Sequence, residues 1–114
     1  MLPNIITAKV DRSIVKHKIS NQIAKGKAIL EIIIETEANY NSVKQVSNNW
    51  MKNTKWLLLE LVNELTVAQE FPLFLWSKPY NPEDFYEEIN DFRQALTRAN
   101  EYLKMIIHVL EQSV

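Results

Sequence analysis

Cysteine is absent from the chain. That removes disulfides, thiolate nucleophiles, cysteine-ligated zinc and iron–sulfur clusters on chemical grounds alone, and it fits a reducing cytoplasm. Glycine is nearly absent too, with a single residue at Gly26. A glycine-rich phosphate loop is therefore impossible, as is the Gly-x-Ser-x-Gly turn that exposes a serine nucleophile. Histidine is scarce and scattered: His17 and His108 lie near opposite ends of the sequence, too far apart in the chain to spell a metal-ligand motif. No apolar run approaches the roughly 18 residues of a membrane span, and Met1-Leu2-Pro3-Asn4-Ile5-Ile6-Thr7 lacks the basic region of a secretory leader. The expectation is a protein that neither crosses a membrane nor carries a metal or other cofactor.

What remains is ordinary globular material. The chain has 114 residues, of which 46% are hydrophobic and 24% charged, enough for one domain over residues 1–114 with its own core. Formal net charge is -1, so the chain as a whole exerts no pull on nucleic acid. Its charges are segregated, however. Lys9, Arg12, Lys16, Lys18, Lys25 and Lys27 make a basic stretch broken only by Asp11, whereas Glu83, Asp84, Glu87, Glu88 and Asp91 make an acidic one.

With four prolines and one glycine, the chain has too little turn chemistry for an all-β domain, and the pattern predicts an all-α fold of few, long helices. The first is expected from about Val10 to Ala38, on a stripe of Ile19, Ile23, Gly26, Leu30 and Ile33 at steps of three and four. Gly26 falls on that stripe and is read as a point of close approach by another helix. Asn39-Tyr40-Asn41-Ser42 is expected as a break, with Ser42 and Gln45 at capping-box spacing. A second helix would then carry Val43, Val46, Trp50, Thr54, Leu57, Leu61, Leu65 and Ala68 on one side and end near Gln69.

Residues 70–82 form an aromatic-rich connector between helices two and three. Asn81 and Pro82 supply a cap and a first turn for the third helix. That helix has the strongest pattern of all, with Phe85, Ile89, Phe92, Leu96, Ala99, Leu103, Ile106 and Leu110 alternating in steps of four and three. Tyr86, Tyr102, Met105, Ile107 and Val109 broaden its apolar face. Joined by moderate connectors, the three would make an up-down-up three-helix bundle. In that arrangement helices one and three run in the same direction, and the basic start of one lies beside the acidic start of the other.

The search for chemistry yields little. Paired carboxylates such as Glu31/Glu35 and Glu60/Glu64 recur at helical spacing but lack the Glu-x-x-His partner of a bundle metal site. Arg12-Ser13-Ile14-Val15-Lys16-His17 has the form Arg-x4-His and resembles the short ribonuclease motif of the HEPN family. That resemblance implies a nuclease using Arg12 and His17, although the motif stands here in the first helix, with Ser13 where the family often has Asn, Asp or His. A further alternative is nucleic-acid binding through the basic first helix. Among aromatics, Trp50 sits on the apolar stripe and Trp56 off it, and Phe71, Phe74, Trp76 and Tyr80 fill the connector. A loop of that content either folds onto the bundle or presents a binding surface. Phe71, Phe74, Trp76, Tyr80 and Trp56 are thus the candidate partner-binding residues.

Three segments carry a wider resemblance: Ile23-Ala24-Lys25-Gly26-Lys27-Ala28-Ile29-Leu30, then Asn49-Trp50 through Trp56-Leu57-Leu58-Leu59-Glu60-Leu61, then Leu103 to Leu110. Together they resemble helical modules found N-terminal to TIR-like effector domains in bacterial defence proteins. The resemblance implies a sensing, docking or oligomerising module without chemistry of its own. The resulting expectation is a non-enzymatic helical module that binds a protein partner or associates with itself, for instance as a homodimer.

Overall fold

The computed structural model describes residues 2–73 and 82–112. It is all-α, with helices α1 (Arg12–Leu30), α2 (Glu37–Leu61), α3 (Leu65–Gln69) and α4 (Phe85–Gln112), the last preceded by a 3₁₀ turn at Pro82–Asp84. Among the described residues no helix is long and apolar enough to cross a membrane.

The first helix is shorter than its periodicity predicts. Asp11 caps its start, accepting a hydrogen bond from the Ser13 amide at 2.8 Å. It ends at Leu30 rather than Ala38 because Ile32-Ile33-Ile34 is a run of β-branched residues, which lose side-chain freedom in a helix. Ile32 still closes a last turn, its amide donating to the Ile29 carbonyl at 3.2 Å, and Ile32 and Ile34 pack on the core while Ile33 is 72% exposed. Thr36 then caps α2, accepting from the Asn39 amide at 3.1 Å, and Asn39 Oδ1 accepts in return from the Glu35 amide at 3.2 Å. The expected break at 39–42 is therefore the first turn of α2, and the Ser42 hydroxyl donates to the Ala38 carbonyl instead of capping a helix start.

The core face of α2 comprises Tyr40, Val43, Ser47, Trp50, Met51, Thr54, Leu58 and Leu61. The expected stripe ran through Val43, Val46, Trp50 and Leu57, but Tyr40, Ser47, Met51 and Leu58 shift the centre of the buried face to one side of it, which leaves Leu57 at the edge and Val46 outside. Helix α2 stops at Leu61, short of Gln69, because the N-terminal segment pairs with the chain at that point. Ala8 and Val62 form an antiparallel bridge, with Lys9 N–H donating to the Leu61 carbonyl at 2.8 Å and Asn63 N–H donating to the Thr7 carbonyl at 3.0 Å. Ile6, 1% exposed, and Val62 are buried beneath this clasp. The chain resumes as α3.

Helix α4 meets expectation most closely. Ile89, Phe92, Leu96, Ala99, Leu103, Ile106 and Leu110 are all buried, and Phe85 packs at the edge of the core.

Helix direction differs from the up-down-up arrangement. Lys16 pairs with Glu111 at 3.1 Å, Asn100 Nδ2 donates to the Ile23 carbonyl at 3.2 Å, and Arg93 donates to the Ile32 carbonyl at 3.3 Å. These contacts run in opposite senses along the two helices, so α1 and α4 are antiparallel rather than parallel. Tyr40 meets Phe85, Glu88 and Phe92, which sets α2 parallel to α4. The long connection from residue 62 to residue 84 is the physical reason: short links force neighbours antiparallel, long ones do not. Consequently the basic start of α1 lies against the end of α4, and the acidic start of α4 lies beside the α1–α2 turn.

Candidate docking groove

All three long helices converge at Gly26. A methyl group on its α-carbon would stand 2.5 Å from Asn100 Oδ1, 2.7 Å from Trp50 Cζ2 and 2.8 Å from Asn100 Nδ2. The absence of a side chain is what lets α2 and α4 approach α1 here, as its place on the stripe predicts. A buried polar chain fixes the register. The Trp50 indole donates to the Gln22 carbonyl at 2.9 Å, Gln22 Nε2 donates to Thr54 Oγ1 at 2.7 Å, and Thr54 Oγ1 donates to the Trp50 carbonyl at 2.6 Å. Buried polar groups satisfied in this way specify one alignment of the helices.

The valley between α2 and α4 is filled. Phe71, 3% exposed, packs edge-on against Trp50 at 6.3 Å and against Tyr102 at 5.9 Å. The Tyr102 hydroxyl donates to the Val67 carbonyl at 2.5 Å, which ties α3 to α4. Burial, with the Glu70 carboxylate nearby as a second cause, pushes the Tyr102 hydroxyl up to about 12.

Among the described residues, nothing fills the valley between α1 and α2. It forms a groove of about 560 Å³, walled on the α1 side by Gln22, Lys25, Ala28, Ile29 and Ile32 and on the α2 side by Val46, Asn49, Trp50 and Asn53. Its floor is apolar and its rim carries amides and one charge, Lys25, a composition suited to an apolar anchor set in a polar surround. Val46 is 49% exposed. Trp56 follows Asn53 by three residues, on the same flank of α2, and is 67% exposed.

The residues singled out from sequence are dispersed relative to this groove. Phe71 lies in the core between α2 and α4, Trp56 stands beside the groove, and Phe74, Trp76 and Tyr80 lie outside the described residues. Arg12 and His17 are both exposed on α1, and five residues of helix set them about 140° apart around its axis. On α4, Tyr86 and Met105 are exposed, while Tyr102, Ile107 and Val109 pack on the core. Among the described residues no three His, Cys, Asp or Glu side chains gather where they could hold a metal ion. The groove itself was hidden in the sequence because Val46 reads as core and Asn49 and Asn53 as solvated surface. The signal that would expose it is the Thr36-x-x-Asn39 cap: a helix that starts at Glu37 includes Tyr40, and Tyr40 with Ser47, Met51 and Leu58 centres the buried face away from Val46.

Comparison with known protein families, with curated proteins and with solved structures gives no match.

Proposed function

We propose that this chain is a non-enzymatic helical interaction module, working in the cytoplasm, which docks a protein partner or associates with itself through the α1–α2 face. The open groove of about 560 Å³ carries this reading: one valley of the bundle is sealed by Phe71 while the next leaves Ile29, Ile32, Val46 and Trp50 lining a concave, solvent-facing surface. An aromatic side chain as exposed as Trp56, beside an apolar concavity rimmed by amides, has the composition of interface centres, where tryptophan is enriched. The resemblance to modules preceding TIR-like effector domains points the same way, toward docking or oligomerisation in a bacterial defence system.

Light scattering and affinity capture on the wild type and on Val46→Arg test the reading. It expects an assembly larger than the monomer, or a captured protein, that is lost in Val46→Arg while the helical circular dichroism is kept. A strict monomer that captures nothing contradicts it.

A further inference from the structure

The groove and the exposed tryptophan belong to the same flank of the same helix, and their spacing is informative. Asn49 lines the groove, and Trp56 follows it by two helical turns, roughly 10 Å along the axis. A knob and a hole on one face of one element are the requirement for an isologous pair, in which each copy fills the other and the assembly closes at two.

We propose that the occupant of the α1–α2 groove is Trp56 of a second copy of this chain, the two α2 helices crossing antiparallel about a two-fold axis beside Asn53. This rests on the reading of the chain as an interaction module and specifies its partner. With the axis there, Trp56 of each copy comes over the Asn49–Trp50 section of the other, and both knobs seat at once. The seam suits a self-contact. Asn53 and Asn49 carry neutral amides that can donate and accept across the axis, and among the described residues no acidic side chain lines the groove. Lys25, the one charged residue among the described lining residues, stands on the wall that the incoming indole faces, where an ammonium and a tryptophan ring attract. Lys52 immediately precedes Asn53 in α2 and so comes near its own symmetry mate beside the axis. That exposed like-charge contact is screened by salt, so the pair tightens as ionic strength rises. An acidic helix or a nucleic acid bound to the same lysines would respond in the opposite sense.

Because the chain has no native cysteine, single-cysteine variants report the geometry directly. Asn53→Cys treated with a short bismaleimide is expected to yield covalent dimer, and the exposed α4 position Gln94→Cys is expected to yield none. Sedimentation equilibrium is expected to give a wild-type dimer that strengthens with added salt. Trp56→Ala should raise its dissociation constant about 30-fold, the scale of an interface hot spot, and Trp56→Phe less. A wild-type monomer at all concentrations overturns the inference. So does a dimer indifferent to Trp56→Ala, one weakened by salt, or equal cross-linking at 53 and 94. In those last three cases the module reading stands and only the assigned seam falls, whereas a monomer that also captures no partner removes both.

Discussion

Gly26 faces the Asn100 side chain so closely that a methyl group added to it would lie 2.5 Å from Asn100 Oδ1. Neither neighbour can yield freely, since Asn100 is held by its bond to the Ile23 carbonyl and Trp50 by its bond to the Gln22 carbonyl. Gly26→Ala gains about 1 kcal/mol of helix propensity, but overpacking a buried contact costs about 1–3 kcal/mol. A net loss of stability is expected. Urea unfolding of the variant at or above wild-type stability would show that α1 and α4 are not in this contact.

The start of α2 is tested by its cap. Thr36→Ala is expected to cost about 1 kcal/mol, the usual value of an N-cap hydroxyl, while Ser42→Ala, inside the helix, should be neutral or slightly stabilising. The reverse ranking in denaturant unfolding would restore the break at 39–42.

Glu64 joins the N-terminal segment to the end of α2. Partial burial raises its pKa, but the Thr7 amide and hydroxyl, donating to its two oxygens at 2.7 and 2.8 Å, outweigh that and hold the carboxyl below its ordinary value of 4.5. A depressed folded-state pKa stabilises above the unfolded value and is lost as pH falls through the folded one. The protection of the Thr7 amide from hydrogen exchange, relative to an unstructured amide at the same pH, should therefore fall as the pH drops below 4.5, and Glu64→Gln should flatten that dependence. An amide equally protected at acid pH would contradict this account of the clasp.

Tyr102 gives the opposite sign. Its hydroxyl stays protonated to about 12 in the folded state, against 10.0 unperturbed. The stability it contributes is complete below pH 10 and is lost as the pH climbs toward 12. Ultraviolet titration of tyrosinate should show a late step that Tyr102→Phe removes.

Legibility of the fold tracked how much each element depends on its own pattern. Helix α4 could be read residue by residue because Ile89, Phe92, Leu96, Ala99, Leu103, Ile106 and Leu110 all serve one face. Gly26 could be read because glycine on an apolar stripe has few other uses. The end of α1 could not, since helical periodicity continues formally through Ile33 and only the local competition between β-branched residues and the Thr36 cap decides the matter. The clasp was invisible for a different reason: nothing near Ile6 announces a partner more than fifty residues away at Val62. Helix direction likewise depends on a tertiary outcome, the path of the connector, and charge segregation suggested the wrong neighbour. Of the candidate site, Trp56 was legible as an apolar residue off the stripe, but the groove beside it required knowing that the buried face of α2 is centred on Ser47, Met51 and Thr54 rather than on Val46.

Sedimentation equilibrium of the wild type and Trp56→Ala at matched concentrations tests the central claim most directly. The account predicts a dimer for the wild type and, for the variant, still fully helical, an average mass shifted toward the monomer. Identical masses for the two would contradict it.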